Sequence, residues 1–153
     1  MKARTVLATL VCFFAGFALY AADPNIGTWK LNESKSKLAP SGAKNTLVVC
    51  TAAGDGVNIT VDGFDSDGKT FHSEWIGKYD GKDYPIKGDT LGDSRSYTKV
   101  DANTLSFKGK MAGKTIFTGK VVVSADGKSR TVTASASDDK GKTYSTTSVY
   151  DKQ

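Results

Sequence analysis

The sequence predicts an all-β domain, an antiparallel up-and-down β-barrel of about eight to ten strands, preceded by a signal peptide. Three observations predict it. Asp-Gly dipeptides recur at 55–56, 62–63, 67–68, 80–81 and 126–127, and these tolerate the positive φ that tight hairpins require. Between them lie short runs of β-branched, aromatic and hydroxyl residues. No stretch beyond the N-terminal segment keeps a 3.6-residue apolar period long enough for a helix. A β-sandwich is the alternative. Sequential hairpins favour the barrel, because closure removes exposed sheet edges.

Taken in order, residues 1–21 read as the signal peptide: Lys2 and Arg4 supply positive charge, and Val6 to Leu19 is a charge-free apolar run ending at Ala21 and Ala22. Cys12 lies inside that run behind Val11, so a lipoprotein anchor is not expected. Residues 22–153 then form one domain. Strands are expected over 26–32, 45–52, 57–62, 69–79, 94–100, 103–109, 114–123, 129–136 and 142–150, with a short one at 84–87. In the first, Trp29 is expected to close one barrel end beside the last strand, with Gly27 allowing close approach. The 33–44 connection has room for one helical turn, Ser34 to Leu38, before Pro40 stops it. Pro85 to Asp93 is expected to loop at a barrel mouth.

Alternation assigns faces. Val57, Ile59 and Val61 share one, as do Phe71, Ser73, Trp75, Gly77 and Tyr79, and likewise Leu105 and Phe107. The last two strands are lean: Arg130, Val132, Ala134 and Ala136 share a face, and so do Tyr144, Thr146, Ser148 and Tyr150. Such residues cannot fill a dense core. Either an internal cavity or a thin, solvated stretch of sheet accounts for them.

Composition excludes some functions. Removal of Lys2 and Arg4 lowers the formal net charge from +5 to +3. The remaining bases are lysines scattered among aspartates, with only Arg95 and Arg130 as arginines, unlike the basic clusters of nucleic-acid sites. Cys50 is then the one cysteine, so no intramolecular disulfide is expected, and its apolar neighbours suit a small buried side chain.

Gly27-Thr28-Trp29-Lys30-Leu31 resembles the Gly-x-Trp signature of the calycins, the lipocalins and fatty-acid-binding proteins. Val149-Tyr150-Asp151-Lys152 is similar to the last strand of the fatty-acid-binding branch. Tyr79-Asp80-Gly81-Lys82-Asp83-Tyr84-Pro85 resembles a segment of bacterial exported lipocalin-like proteins. The resemblance implies an antiparallel barrel that holds an apolar or amphipathic small molecule. The carboxylate-binding arginine of the fatty-acid-binding branch falls at Ser148, so only Tyr150 carries over. Residues 33–44 are too short for that branch's helix pair.

Candidate chemistry is sparse. Phe71, Trp75, Tyr79, Tyr97, Phe107 and Phe117 form an aromatic set that either lines a pocket or packs as plain core. Arg95 and Arg130 either bind an anionic head group inside or reach solvent at strand ends. Asp65-Ser66-Asp67-Gly68 with Glu74 approaches calcium-loop spacing, but Gly63 stands where the first ligand belongs, and a hairpin turn explains it equally. His72, the single histidine, shares a strand face with Glu74 and could pair with it for acid–base chemistry or simply face solvent. The Asn32 and Asn58 sequons matter only in a eukaryotic secretory pathway.

The expected function is non-covalent binding of a small hydrophobic or amphipathic ligand, with Phe71, Trp75, Tyr79, Arg95, Tyr97, Phe107, Phe117, Arg130 and Tyr150 as its site. A protein-interaction or inhibitor module using the 81–93 stretch is the alternative. An enzyme on the same fold is the third reading and is not expected. Neither a cofactor, a metal, a nucleic-acid partner nor membrane insertion after signal cleavage is expected. The protein is expected to be a secreted or periplasmic monomer.

Overall fold

A computed structural model describes residues 23–41, 43–137 and 140–153. The expected signal peptide lies outside the described residues. Ten strands are present: β1 (Gly27–Leu31), β2 (Lys44–Ala53), β3 (Gly56–Phe64), β4 (Thr70–Gly77), β5 (Tyr84–Lys87), β6 (Ser94–Lys99), β7 (Thr104–Met111), β8 (Lys114–Val123), β9 (Ser129–Ser137) and β10 (Thr143–Lys152). Every neighbouring pair in sequence is antiparallel. β1 pairs with both β2 and β10, placing Trp29 opposite Val48 and Lys152, so the sheet closes into a barrel. That closure excludes the sandwich.

Four of the five Asp-Gly pairs fall in or beside a turn, and glycines 54, 68, 113, 127 and 141 stand in turns at positive φ. Asp62-Gly63 does not: it lies inside β3, paired with His72 and Phe71 of β4. Most strands match the expected spans within two residues. The helical turn expected at Ser34–Leu38 is instead a 3-10 turn at Glu33–Lys35. Asn32 moves it upstream, because its side chain caps the Lys35 amide at 3.2 Å. Beyond it, Lys37 bridges to Thr147 of β10, drawing the connection across one barrel end. Pro85–Lys87 belongs to β5, so only residues 88–93 form the loop. β5 is the weakest part of the wall, with two register pairs to each neighbour.

The two ends differ. The 54–55, 78–83, 100–103 and 124–128 connections share one end with the N-terminal turn. There Trp29 is fully buried and donates from Nε1 to the Asn25 carbonyl at 2.9 Å. Gly27 suits this closure because its φ of +139° is a conformation that side-chain-bearing residues rarely adopt. Trp75, Tyr150, Cys50, Val121 and Val123 complete a floor of residues at most 2% exposed. The 36–43, 65–69, 88–93 and 112–113 connections meet at the other end, which is the mouth.

Between floor and mouth, three aromatics stand directly across from inward glycines: Phe71 opposite Gly63, Phe107 opposite Gly119, and Phe117 opposite Gly109. Each ring occupies the space a Cβ would fill. At Gly109 that atom would lie 2.1 Å from the Phe117 ring, and at Gly119 2.3 Å from Phe107. The rings therefore lie flat against the wall rather than across the lumen.

Candidate ligand cavity

The alternation that places Val57, Ile59 and Val61 inside does the same for Arg95 and Tyr97 on β6, Phe107 on β7 and Phe117 and Val121 on β8. On β9 and β10 the inward residues are the lean set, Arg130 to Ala136 and Tyr144 to Tyr150. Small side chains there, facing flattened rings opposite, leave a cavity of about 600 Å³. The lean strands pair along their length and turn this set towards the lumen. A cavity of this volume lies within the usual range for small-ligand sites.

Seven of the nine expected site residues line it: Phe71, Arg95, Tyr97, Phe107, Phe117, Arg130 and Tyr150. Trp75 and Tyr79 do not. Both lie inward but nearer the floor end of β4, where Trp75 packs edge-on against Tyr97 at 4.8 Å and Tyr84 at 5.7 Å. Its Nε1 donates to the Arg95 carbonyl at 3.0 Å. Tyr79 packs against Tyr97 at 6.0 Å, and its hydroxyl finds no partner among the described residues. Burial and the nearby Asp23 push its phenol far above the usual tyrosine range.

Both arginines point inward, which decides the open question of their direction. Arg130 is 5% exposed and stands over the floor. Its Nη1 donates to Cys50 Sγ at 3.4 Å, and its guanidinium lies 5.9 Å from the Trp29 ring and 6.0 Å from Tyr150. Its Nε finds no protein partner, and no carboxylate pairs with it among the described residues. Cys50 gains some stabilisation of its thiolate from this neighbour, but burial dominates and raises its pKa. The thiol is therefore a neutral packing group.

Arg95 sits nearer the mouth and is partnered. Asp89, from the 88–93 loop, pairs with its Nη2, and both side chains are largely buried, at 13% and 8% exposure. The guanidinium also lies 5.0 Å from the Phe117 ring. Sequence reasoning missed Asp89, because nothing in the loop's composition says which way a carboxylate turns. Gly88 directs it: φ is +70°, and a Cβ would lie 2.1 Å from the His72 carbonyl oxygen. The hydroxyls of Ser73, Thr146 and Ser148 also reach the lining and were missed as site residues.

The remaining candidates lie elsewhere. His72 and Glu74 face outward and take separate partners, His72 Nδ1 with Asp62 at 2.7 Å and Glu74 with Asn58 at 3.2 Å. The Asp65 carboxylate accepts from the Asp67 and Lys69 amides at 2.9 Å each, as a hairpin cap does. Tyr84 is half-buried against Trp75 and donates to Asp80 at 3.0 Å.

Fold and cavity define a ten-stranded antiparallel β-barrel with a lumen open at one end. No family model matches the sequence, and neither does any curated protein. Among solved structures, EF1p2_mFAP2b bound to DFHBI is similar to this chain at 14% sequence identity and a TM-score of 0.49, over 87% of this chain and 97% of that one.

Proposed function

We propose that this protein is an exported carrier, a monomeric calycin-like barrel of the bacterial lipocalin-like kind, that holds a small amphipathic acid non-covalently and catalyses nothing. Its apolar part lies along Phe107, Phe117, Val132 and Ala134, and its acid group meets Arg130. The observation that carries this reading is the Arg130 guanidinium, 5% exposed, facing a cavity and with no paired carboxylate among the described residues. An unpaired cation in a low-dielectric site is costly. A ligand acid compensates it with a bidentate, charge-assisted contact. Export is supported by the charge and apolar pattern of residues 1–21.

Titration of the mature protein with dodecanoate and with dodecanol, read through the fluorescence of Trp29 and Trp75 together, tests the proposal. Trp29 suits this readout because its ring lies 5.9 Å from the Arg130 guanidinium. Dodecanoate is expected to bind saturably and about 10–100-fold tighter than the alcohol, the range one charged hydrogen-bonded contact supplies. Arg130→Met should abolish that preference. No saturable binding, or equal affinity for acid and alcohol in the native protein, overturns the reading.

A further inference from the structure

We propose that Asp89 sets the charge and the orientation of the cavity's occupant: a monoanion with its acid at the floor, and no second acid at the mouth. This rests on the ligand-carrier reading above. The two arginines share one lumen but differ in state. Arg95 is neutralised by Asp89, and Arg130 has no carboxylate among the described residues. The arginine left without a paired carboxylate among the described residues is therefore the one at the floor.

The mouth is arranged the other way. Asp65 and Asp67 line it with Asp89. Lys44, the lysine of the lining, is engaged by Glu33 at 2.8 Å and lies 6.0 Å from the Phe64 ring. An anionic head arriving at the mouth meets three lining carboxylates, with Lys142 at the rim 5.0 Å from the Tyr144 ring, and it can reach Arg95 only by displacing Asp89. That carboxylate is held twice, by Arg95 through Oδ2 and by the Leu91 amide through Oδ1 at 2.9 Å. Gly88 fixes the backbone behind it. An α,ω-diacid seated on Arg130 would extend its second carboxylate towards this acidic rim. There it would share one guanidinium with Asp89, and two carboxylates on one cation repel. The cavity thus distinguishes a monoacid from the diacid of equal chain length.

The test compares octanoate to hexadecanoate with octanedioate to hexadecanedioate, by calorimetric titration of the mature protein. Native protein should prefer the monoacid by about tenfold or more at matched length. Asp89→Asn keeps an oxygen for the Leu91 amide but frees Arg95 as a second anchor. It should raise the diacid-to-monoacid affinity ratio by about tenfold. Arg95→Gln acts oppositely, leaving Asp89 uncompensated, and should lower that ratio severalfold. Ratios within about twofold of native in Asp89→Asn, or a higher ratio in Arg95→Gln, overturn the inference while monoacid binding by the native protein leaves the carrier reading standing. If the native protein binds neither series, the carrier reading fails and takes this inference with it.

Discussion

The floor and the mouth of this barrel both carry large apolar side chains and treat them oppositely. At the floor Trp29, Trp75 and Tyr150 are at most 2% exposed. At the mouth Leu91 is 61% exposed, Tyr144 49%, Met111 44% and Phe64 37%. The charges invert this order. The more deeply buried arginine, Arg130, has no carboxylate partner, whereas Arg95 nearer the mouth has one. The difference shows that the floor does two jobs. It is the packed end that holds the barrel closed, and it also holds the polar group that packing alone would have excluded. The mouth leaves apolar surface in water where a ligand must pass.

If the floor carries the fold, its largest side chain should carry most. Trp29→Ala removes a fully buried indole and its bond to the Asn25 carbonyl. It should lower stability by about 3–5 kcal/mol in urea unfolding. A loss below about 1 kcal/mol would mean that β1 is held by its strand pairing alone. The next test lies between the two ends. Gly119→Ala places a methyl 2.3 Å from the Phe107 ring and 2.2 Å from the Thr133 carbonyl oxygen. It should cost about 1–3 kcal/mol, the usual range for overpacking. Because the displaced ring turns into the lumen, the same variant should also weaken dodecanoate binding. Weaker stability with unchanged binding would show that the flattened ring does not shape the cavity.

Much of this arrangement was legible in the sequence, for physical reasons that can be named. Two-residue periodicity separated the faces of β3, β4 and β7, because a one-residue slip would bury their polar face. Asp-Gly pairs marked four turns but misplaced one, because Gly63 serves β3 as the inward gap that the Phe71 ring fills. The Gly-Thr-Trp start located Trp29 at the closed end, where it is found. What the sequence left open depends on distant pairing. Whether the lean residues of β9 and β10 border a cavity depends on what stands opposite them. That in turn depends on the register that sets Phe107 against Gly119 and Phe117 against Gly109. Arg95 and Arg130 lie near strand ends, where a long side chain can turn to solvent or lumen. Trp75 and Tyr79 share the face of Phe71, yet face alone does not give height along the barrel axis. Asp89 was invisible because a loop carboxylate has no periodicity to orient it.

The smallest expected effect at neutral pH, and the most informative about the floor, is that of Tyr79→Phe. The Tyr79 hydroxyl is buried without a protein partner, so deleting it should change stability by less than about 1 kcal/mol, with a gain as the favoured direction. The contrast appears in alkali. Burial raises the Tyr79 phenol far above its ordinary value and raises Tyr150 and Cys50 as well. Each folded-state pKa lies above the unfolded one, so the folded state holds these protons more tightly. Their contribution to stability is complete below the unfolded pKa and is lost as pH rises beyond it. The native protein should therefore weaken first above about pH 8.5, through Cys50, and more steeply above about pH 10, through the tyrosines. In Tyr79→Phe the first step should remain and the second should be shallower, measured as urea midpoints from neutral pH upward. A second step of unchanged steepness would place the alkaline sensitivity on Tyr150 and Tyr84 instead. It would also separate the part of the floor beneath β4 from the part beneath β10.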